Sequence, residues 1–204
     1  FHKPLGYAGD YEMVNMITRN QHEGDSLFAK VVNTWFLRQP PAEAHRNRID
    51  YLAKLLADET LRVCRLSRPT RVFNMACGPA QEVQKLPCES PLSDHVKRTM
   101  LDFNEETLRY VHSTLDDLKN RYSRGMSVDY IKKSVHHILK EGGRSTALSG
   151  PNGYDVVYCA GLFDYLSNPV CQRLMDLMYD WLVPGGLLVA TNVAVAAATP
   201  PTRR

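Results

Sequence analysis

Ala76, Cys77, Gly78, Pro79 and Ala80 form a run of small residues, and Asp102 follows it by about 25 positions. Small side chains let a backbone come close to a ligand, and where such a run opens a helix the first amides add donors. A carboxylate at the end of the next strand can accept both hydroxyls of an adenosine ribose. Each feature also has a plainer explanation. Tight strand-to-helix turns use small residues for packing, and Asp102 lies just ahead of Asn104-Glu105-Glu106, where it could cap a helix. The two together are more specific than either alone. The turn lacks the third glycine of GxGxxG, which disfavours pyrophosphate binding.

These residues need elements to hold them. RVFNM, residues 71–75, is a short apolar run that stops at the small turn, and a helix through Val83 follows it. VKRTMLDFN reads as a second strand ending at Asp102, and NEETLRYVHSTLDDLKNRY as its helix. A third strand is expected over 128–135, followed by a short helix over 136–141 and a Gly/Ser/Pro-rich loop through Gly153. YDVVYCAG supplies a fourth strand, residues 170–182 an amphipathic helix, Pro184-Gly185-Gly186 a turn, and LLVATNV a fifth strand. Strands alternating with helices predict a parallel, doubly wound α/β sheet covered on both faces. Ahead of it, Phe28, Val31, Val32, Trp35 and Phe36 recur at helical spacing, Pro40 and Pro41 punctuate, and a second helix over 42–61 gathers Ile49, Leu52, Leu55 and Leu56 on one face.

Composition narrows the function classes. At 204 residues the chain suits one domain that buries roughly two-thirds of its unfolded surface. With 44% hydrophobic and 23% charged residues it is ordinary for a globular protein, and no apolar stretch reaches the ~20 residues of a membrane helix. A net charge of +3, with Lys and Arg scattered among acids, gives no phosphate track for nucleic acid. The five cysteines form no CxxC pair and no zinc spacing, so they are expected as reduced thiols in a cytoplasmic protein without a metal. His136 and His137 are adjacent, and in a strand they would face opposite ways rather than one metal. Phe1 is not an initiator methionine, so the chain reads as a processed product or fragment, which leaves open an upstream regulatory domain and pairing with a second copy.

YDVVYCAGLFDYL and WLVPGGLLVATNV resemble the fourth and fifth strands of class I S-adenosylmethionine-dependent methyltransferases, and ACGPA resembles their first motif, with Asn74 and Ala76 in place of the usual acid and first glycine. KPLGYAGDYEMVNMI, AHRNRI, CGPAQEVQ, LDFNEETL and GLFDYLSN narrow the resemblance to the bacterial family of extracellular-factor 3-hydroxypalmitic acid methyl ester biosynthesis proteins, over nearly the whole chain. It implies a Rossmann-like class I methyltransferase core with a parallel-dominated sheet over 69–204, and a helical N-terminal cap and lid over 1–68. A complete core of this kind adds a final antiparallel hairpin, whereas this chain ends in AVAAATPPTRR, so the core is expected to be incomplete or to leave an open edge.

The resemblance also implies roles. Ala76, Cys77, Gly78 and Pro79 would hold the amino-acid end of S-adenosylmethionine, Asp102 its ribose, Phe103 its adenine face, and Ser134 and Val135 the adenine edge. Ala160, Gly161 and Leu162 would line the mouth after the fourth strand, with Asp164 and Tyr165 facing acceptor or solvent. Methyl transfer is an in-line displacement, and a carboxylate acceptor is already ionised at neutral pH and needs no base. It needs holding, by Arg46 or Arg48 as a bidentate clamp and by Tyr7 or Tyr11 as a hydrogen-bond donor. PLGYAGDYEMVNMI, whose two glycines permit sharp turns, would be a lid over the site, or alternatively a cap that buries Met13, Met16 and Ile17. An amine or hydroxyl acceptor would call for a base such as His2, Asp10, His136 or Asp164. A module that binds the cofactor without turnover is the third reading.

Overall fold

The computed structural model describes residues 11–141 and 153–192. Three helices come first: α1 (Tyr11–Arg19), α2 (Leu27–Leu37) and α3 (Pro40–Cys64). Then follow β1 (Thr70–Met75), α4 (Gln81–Glu89), β2 (Val96–Asp102), α5 (Glu105–Tyr122), β3 (Ser127–Lys132), α6 (Val135–Lys140), β4 (Tyr154–Ala160), α7 (Asn168–Asp180) and β5 (Leu182–Thr191). The strands form one sheet in the order β3-β2-β1-β4-β5, with every pair parallel. This is the expected α/β doubly wound sheet.

The chain leaves β1 toward β2 and β3 on one side and reaches β4 and β5 on the other. Connections on opposite faces therefore part between β1 and β4, which opens a crevice at their C-terminal ends. Register sets those ends level. Met75 pairs with Leu101, Asp102 with Lys132, and Ala160 with Thr191.

The central strands are apolar on both faces because both are covered. Phe73, Met75, Val157 and Cys159 pack with Ile138 of α6 and with Leu174 and Met178 of α7. On the opposite face Val72, Val156 and Tyr158 meet Leu52 and Leu56 of α3 and Leu86 of α4. The edge strand β3 alternates between exposed and half-buried residues from Ser127 to Tyr130, as a half-covered strand does, and Ile131 breaks the pattern. α3 shares a core cluster with β1 and β4 and so packs directly on the sheet.

Several local expectations change. Pro40 and Pro41 separate the two helices as expected but belong to the second one, so α3 begins at Pro40 rather than at 42, since proline lacks only an amide that has no partner in a helix's first turn. The third strand stops at Lys132 rather than 135, because Ser134 caps α6 and accepts from the His137 amide; Val135 joins the helix expected for His136 and His137. Pro184-Gly185-Gly186 is not a turn between elements but an irregularity within β5, whose pairing jumps from Tyr154↔Leu182 to Val156↔Leu187. The helix over Leu27–Leu37 forms, yet Leu27, Phe28, Val31 and Trp35 are exposed, because α3 already occupies the sheet face.

At the sheet end away from the crevice, Asp155 is buried and accepts two hydrogen bonds from Arg68, at 2.6 and 2.8 Å, and one from the Arg71 amide at 2.8 Å. Burial works against its charge, but these donors outweigh it and hold the carboxyl below its usual range. Asp155→Ala should lower the unfolding free energy by about 2 to 3 kcal/mol, read as a lower urea midpoint. Arg68→Ala should cost about 1 kcal/mol or less, because that guanidinium is partly exposed.

Candidate functional site

β1 runs into the small-residue turn without a break, since the Cys77 amide continues the ladder by donating to the Leu101 carbonyl at 2.9 Å. The backbone then takes left-handed φ values of 54° at Ala76, 53° at Gly78 and 50° at Ala80. Alanine adopts that region at a cost of about 1 to 2 kcal/mol, so the turn holds strain at Ala76 and Ala80 that glycine would relieve. At Gly78 a β-carbon would meet nothing within 4 Å, so its backbone faces open space. Cys77 is buried, and desolvation followed by the charges of Asp102 and Glu82 pushes its thiol well above the usual range. It is no nucleophile.

Asp102 bridges two loops. Its carboxylate accepts from the Gly78 amide at 3.1 Å and from the Asn104 amide at 2.9 Å. Burial raises its carboxyl, against these backbone donors. It does not cap α5: Asn104 does, accepting from the amides of Glu106 and Thr107. Asp102 keeps lone pairs for a ligand, and it opens onto a cleft of about 1340 Å³ at the C-terminal ends of the strands.

Most of the residues expected in the site meet in that cleft. Ala76, Cys77, Gly78 and Pro79 form one wall. Phe103, Ser134 and Val135 flank Asp102, and Ala160, Gly161 and Leu162 line the side after β4, next to Asp164 and Tyr165. His136 also lines it. From the helices before the sheet come Met13, Val14 and Ile17 of α1 and Pro40, Ala44, His45, Arg48 and Tyr51 of α3. α1 is fastened over the small-residue turn by Gln81, whose side-chain amide donates to Asn15 at 2.5 Å.

The two arginines part company. Arg48 faces the cleft, with its guanidinium donating to Thr191 Oγ1 at 3.4 Å and His45 Nδ1 at 2.7 Å. A β-carbon on Gly161, whose φ is 103°, would lie 3.2 Å from both terminal nitrogens of Arg48, so this glycine makes the guanidinium's room. Arg46 turns away and donates to the carbonyls of Leu37 at 3.1 Å and Ile17 at 3.5 Å, tying the ends of α1 and α2 to α3. Tyr11 stacks on Tyr110 with ring centroids 4.7 Å apart and does not line the cleft. Tyr7, His2 and Asp10 lie outside the described residues.

Sequence reasoning singled out neither His45 nor Glu82, although both sit in the quoted segments AHRNRI and CGPAQEVQ. An arginine can only donate, so His45 Nδ1 accepts and its proton sits on Nε2. That atom is buried and has no partner among the described residues. Glu82 lines the cleft beneath the small-residue turn and is buried against Asn74 and Tyr158. Among the described residues no group of three or more His, Cys, Asp or Glu could hold a metal ion, and no helix is long and apolar enough to cross a membrane.

No protein-family model and no curated protein matches the chain. Solved structures do. A possible exported protein from Bordetella parapertussis aligns over 88% of this chain at 18% identity, with a TM-score of 0.62. Magnesium protoporphyrin IX methyltransferase from Synechocystis, solved with bound S-adenosylhomocysteine, aligns over 84% at 12% identity and a TM-score of 0.50. A small RNA methyltransferase aligns over 68%, at 12% identity and the same TM-score of 0.50. The chain spans 53%, 63% and 15% of these proteins' lengths, respectively. At such identities the likeness speaks for the fold, and the chain has the Rossmann-like fold of these methyltransferases.

Burial, then the charges of Arg48 and Arg46, push His45 down to about 4. Unfolded, the same imidazole titrates near its ordinary ~6.5, so between about pH 6.5 and 4 the unfolded chain binds the extra proton. Stability should fall as pH drops through that window, and His45→Gln should flatten this part of the profile, measured as urea midpoint against pH. A slope that survives the substitution would place the proton uptake elsewhere.

Proposed function

We propose that the chain binds S-adenosylmethionine in this cleft and transfers its methyl group to a small-molecule carboxylate held by Arg48. The observation that carries the reading is the convergence of Asp102, the open backbone at Gly78 and the Arg48 guanidinium on one cleft at the β1/β4 switch point. The residues present suit the cofactor. Gly78 offers backbone that a ligand can approach, Asp102 a buried carboxylate for ribose hydroxyls, and Phe103, with Ser134 and Val135, an apolar and polar rim for adenine. The cofactor, when bound, supplies an electrophilic methyl group on a sulfonium.

The rest falls to the chain. Arg48 is pre-aimed by His45 and Thr191 and presents N–H donors to a carboxylate, which fixes the nucleophile without any base. Met13, Val14, Ile17 and Pro40 give the cleft an apolar wall that accommodates an aliphatic chain and keeps water from the reacting atoms. Together with the sequence resemblance, this supports a hydroxy fatty acid as acceptor and a methyl ester as product. Residues 1–10 precede α1 in the sequence, and we assign them, with α1, the lid role, Tyr7 included. Tyr11 and Arg46 serve instead to seat α1. We place the reaction in the cytoplasm, in keeping with five free cysteines.

A second reading keeps the cofactor and changes the nucleophile to a hydroxyl or amine, for which Asp164 and His136 at the cleft are the available bases. The deciding experiment is transfer of labelled methyl from S-adenosylmethionine to a panel of free hydroxy fatty acids, with base-labile methanol release as the readout. Label released by base is expected. No transfer, in a preparation that binds S-adenosylhomocysteine, would reject free hydroxy acids and favour the second reading. Arg48→Ala should raise KM for the acid and leave S-adenosylhomocysteine affinity unchanged. Asp102→Ala should weaken S-adenosylhomocysteine binding by about 1 to 3 kcal/mol, and unchanged affinity in the folded variant would remove Asp102 from the ribose site.

A further inference from the structure

Glu82 is a buried carboxylate that the chemistry above does not use. It sits in the first turn of α4 and lines the cleft, yet only 5% of the residue is exposed. Its side-chain hydrogen-bond partners are neutral: the Tyr158 hydroxyl donates to Oε1 at 2.7 Å and the Asn74 side-chain amide donates to the same oxygen at 3.1 Å. Asn74 also donates to the Tyr158 hydroxyl at 2.7 Å, which closes a triangle around that one oxygen. The other oxygen, Oε2, takes no part in it. On the far side of the same amide, the Asn74 carbonyl oxygen is buried with no partner among the described residues. The network thus holds two acceptors, one of them an acid. Arg48 acts on Glu82 only as a charge at longer range.

A carboxylate whose hydrogen-bond partners are neutral, with Arg48 and the buried Arg98 near it only as charges, still suits a compact cation with several N–H donors at the cleft floor, because such a group makes the direct contact those arginines do not. A primary ammonium is that group. A guanidinium is planar and larger, and its fork calls for a carboxylate with both oxygens free. Asn74 stands at the end of β1, where the resemblance places an acid in related chains, and here the negative charge comes from α4, eight residues on. We propose that Glu82, positioned by Tyr158 and Asn74, is the counter-ion of the ammonium in the amino-acid end of the cofactor. This rests on the cofactor reading above and assigns a residue and a charge to it. With Arg48 kept for the acceptor, Glu82 and Arg48 then serve two different ligands in the same cleft.

The contrary possibility is chemical and specific. Burial pushes the Glu82 carboxyl up, and a neutral Glu82 would be a structural hydrogen-bonding group with no use for a cation. Calorimetric titration of the full chain separates the two, with S-adenosylhomocysteine and its desamino counterpart, in which hydrogen replaces the amino group. The wild-type chain should bind the amine about 10- to 100-fold more tightly, the size of a hydrogen bond between charged groups. Glu82→Gln, which keeps size and hydrogen bonding, should bind both ligands alike, near the desamino level. A Glu82→Gln variant that retains the preference, or a wild-type chain that shows none, would overturn the assignment while leaving the cofactor reading intact. A wild-type chain that binds neither ligand would overturn both. The wild-type protein alone gives a second reading if the variant does not fold. The preference of the wild-type chain for the amine over its desamino counterpart should shrink as the pH is lowered, because protonated Glu82 offers no counter-charge to the ammonium. A preference that stays constant down to the acid limit of the folded chain would count against the proposal.

Discussion

The carboxylate of Asp102 joins the two loops that make the cleft. By accepting one amide from the β1 loop and one from the β2 loop, it holds the left-handed turn at Gly78 against the start of α5. The bond pattern depends on the β1–β2 register, which sets Met75 beside Leu101 and leaves Asp102 one residue higher. A slip of one position would send Asp102 to the other face and leave the turn without this tie. The strain at Ala76 and Ala80 is therefore borne by a sheet that fixes both ends of the loop.

A second constraint comes from α3. One half of this 25-residue helix is a layer of the core, with Leu52 and Leu56 on the sheet, and the other half carries His45 and Arg48 to the cleft. The guanidinium is thereby set by the packing of the domain and not by a loose surface loop. It reaches Gly161 and Thr191 because β4 and β5 end level with each other. Positioning of this kind favours precision, since a group on a rigid element loses little freedom when a ligand binds.

The interior beneath the turn is polar as well as apolar. Asn74, Glu82 and Tyr158 come from β1, α4 and β4 and meet under the cleft floor. Such a network is expensive to bury unless its members satisfy one another, and the lone carbonyl of Asn74 marks where it is incomplete. The apolar residues exposed on α2 are of another kind: they lie away from the sheet, and the face they would have covered belongs to α3.

The sequence by itself determined the alternation of strands and helices, the parallel sheet, and the places where β1, β2 and β4 end, because buried strands read as apolar runs and their turns as small residues. It also placed Gly78, Asp102 and Gly161 at strand ends, where ligands meet such sheets. It misread the extent of β3 and the glycines of β5, since a cap at Ser134 and an irregularity at Pro184-Gly185-Gly186 are pairing decisions made by neighbouring strands. Only the tertiary structure divided Arg46 from Arg48. They lie two residues apart on one helix, and a rotation of about 200° sends one to the helix ends and the other to the cleft. It alone brought Glu82 to Asn74 and Tyr158, because that contact joins residues 76 and 8 positions from Glu82 across two strands and a helix. Periodicity fixes which face of an element is apolar, whereas the partner that a polar side chain finds depends on which elements pack beside it.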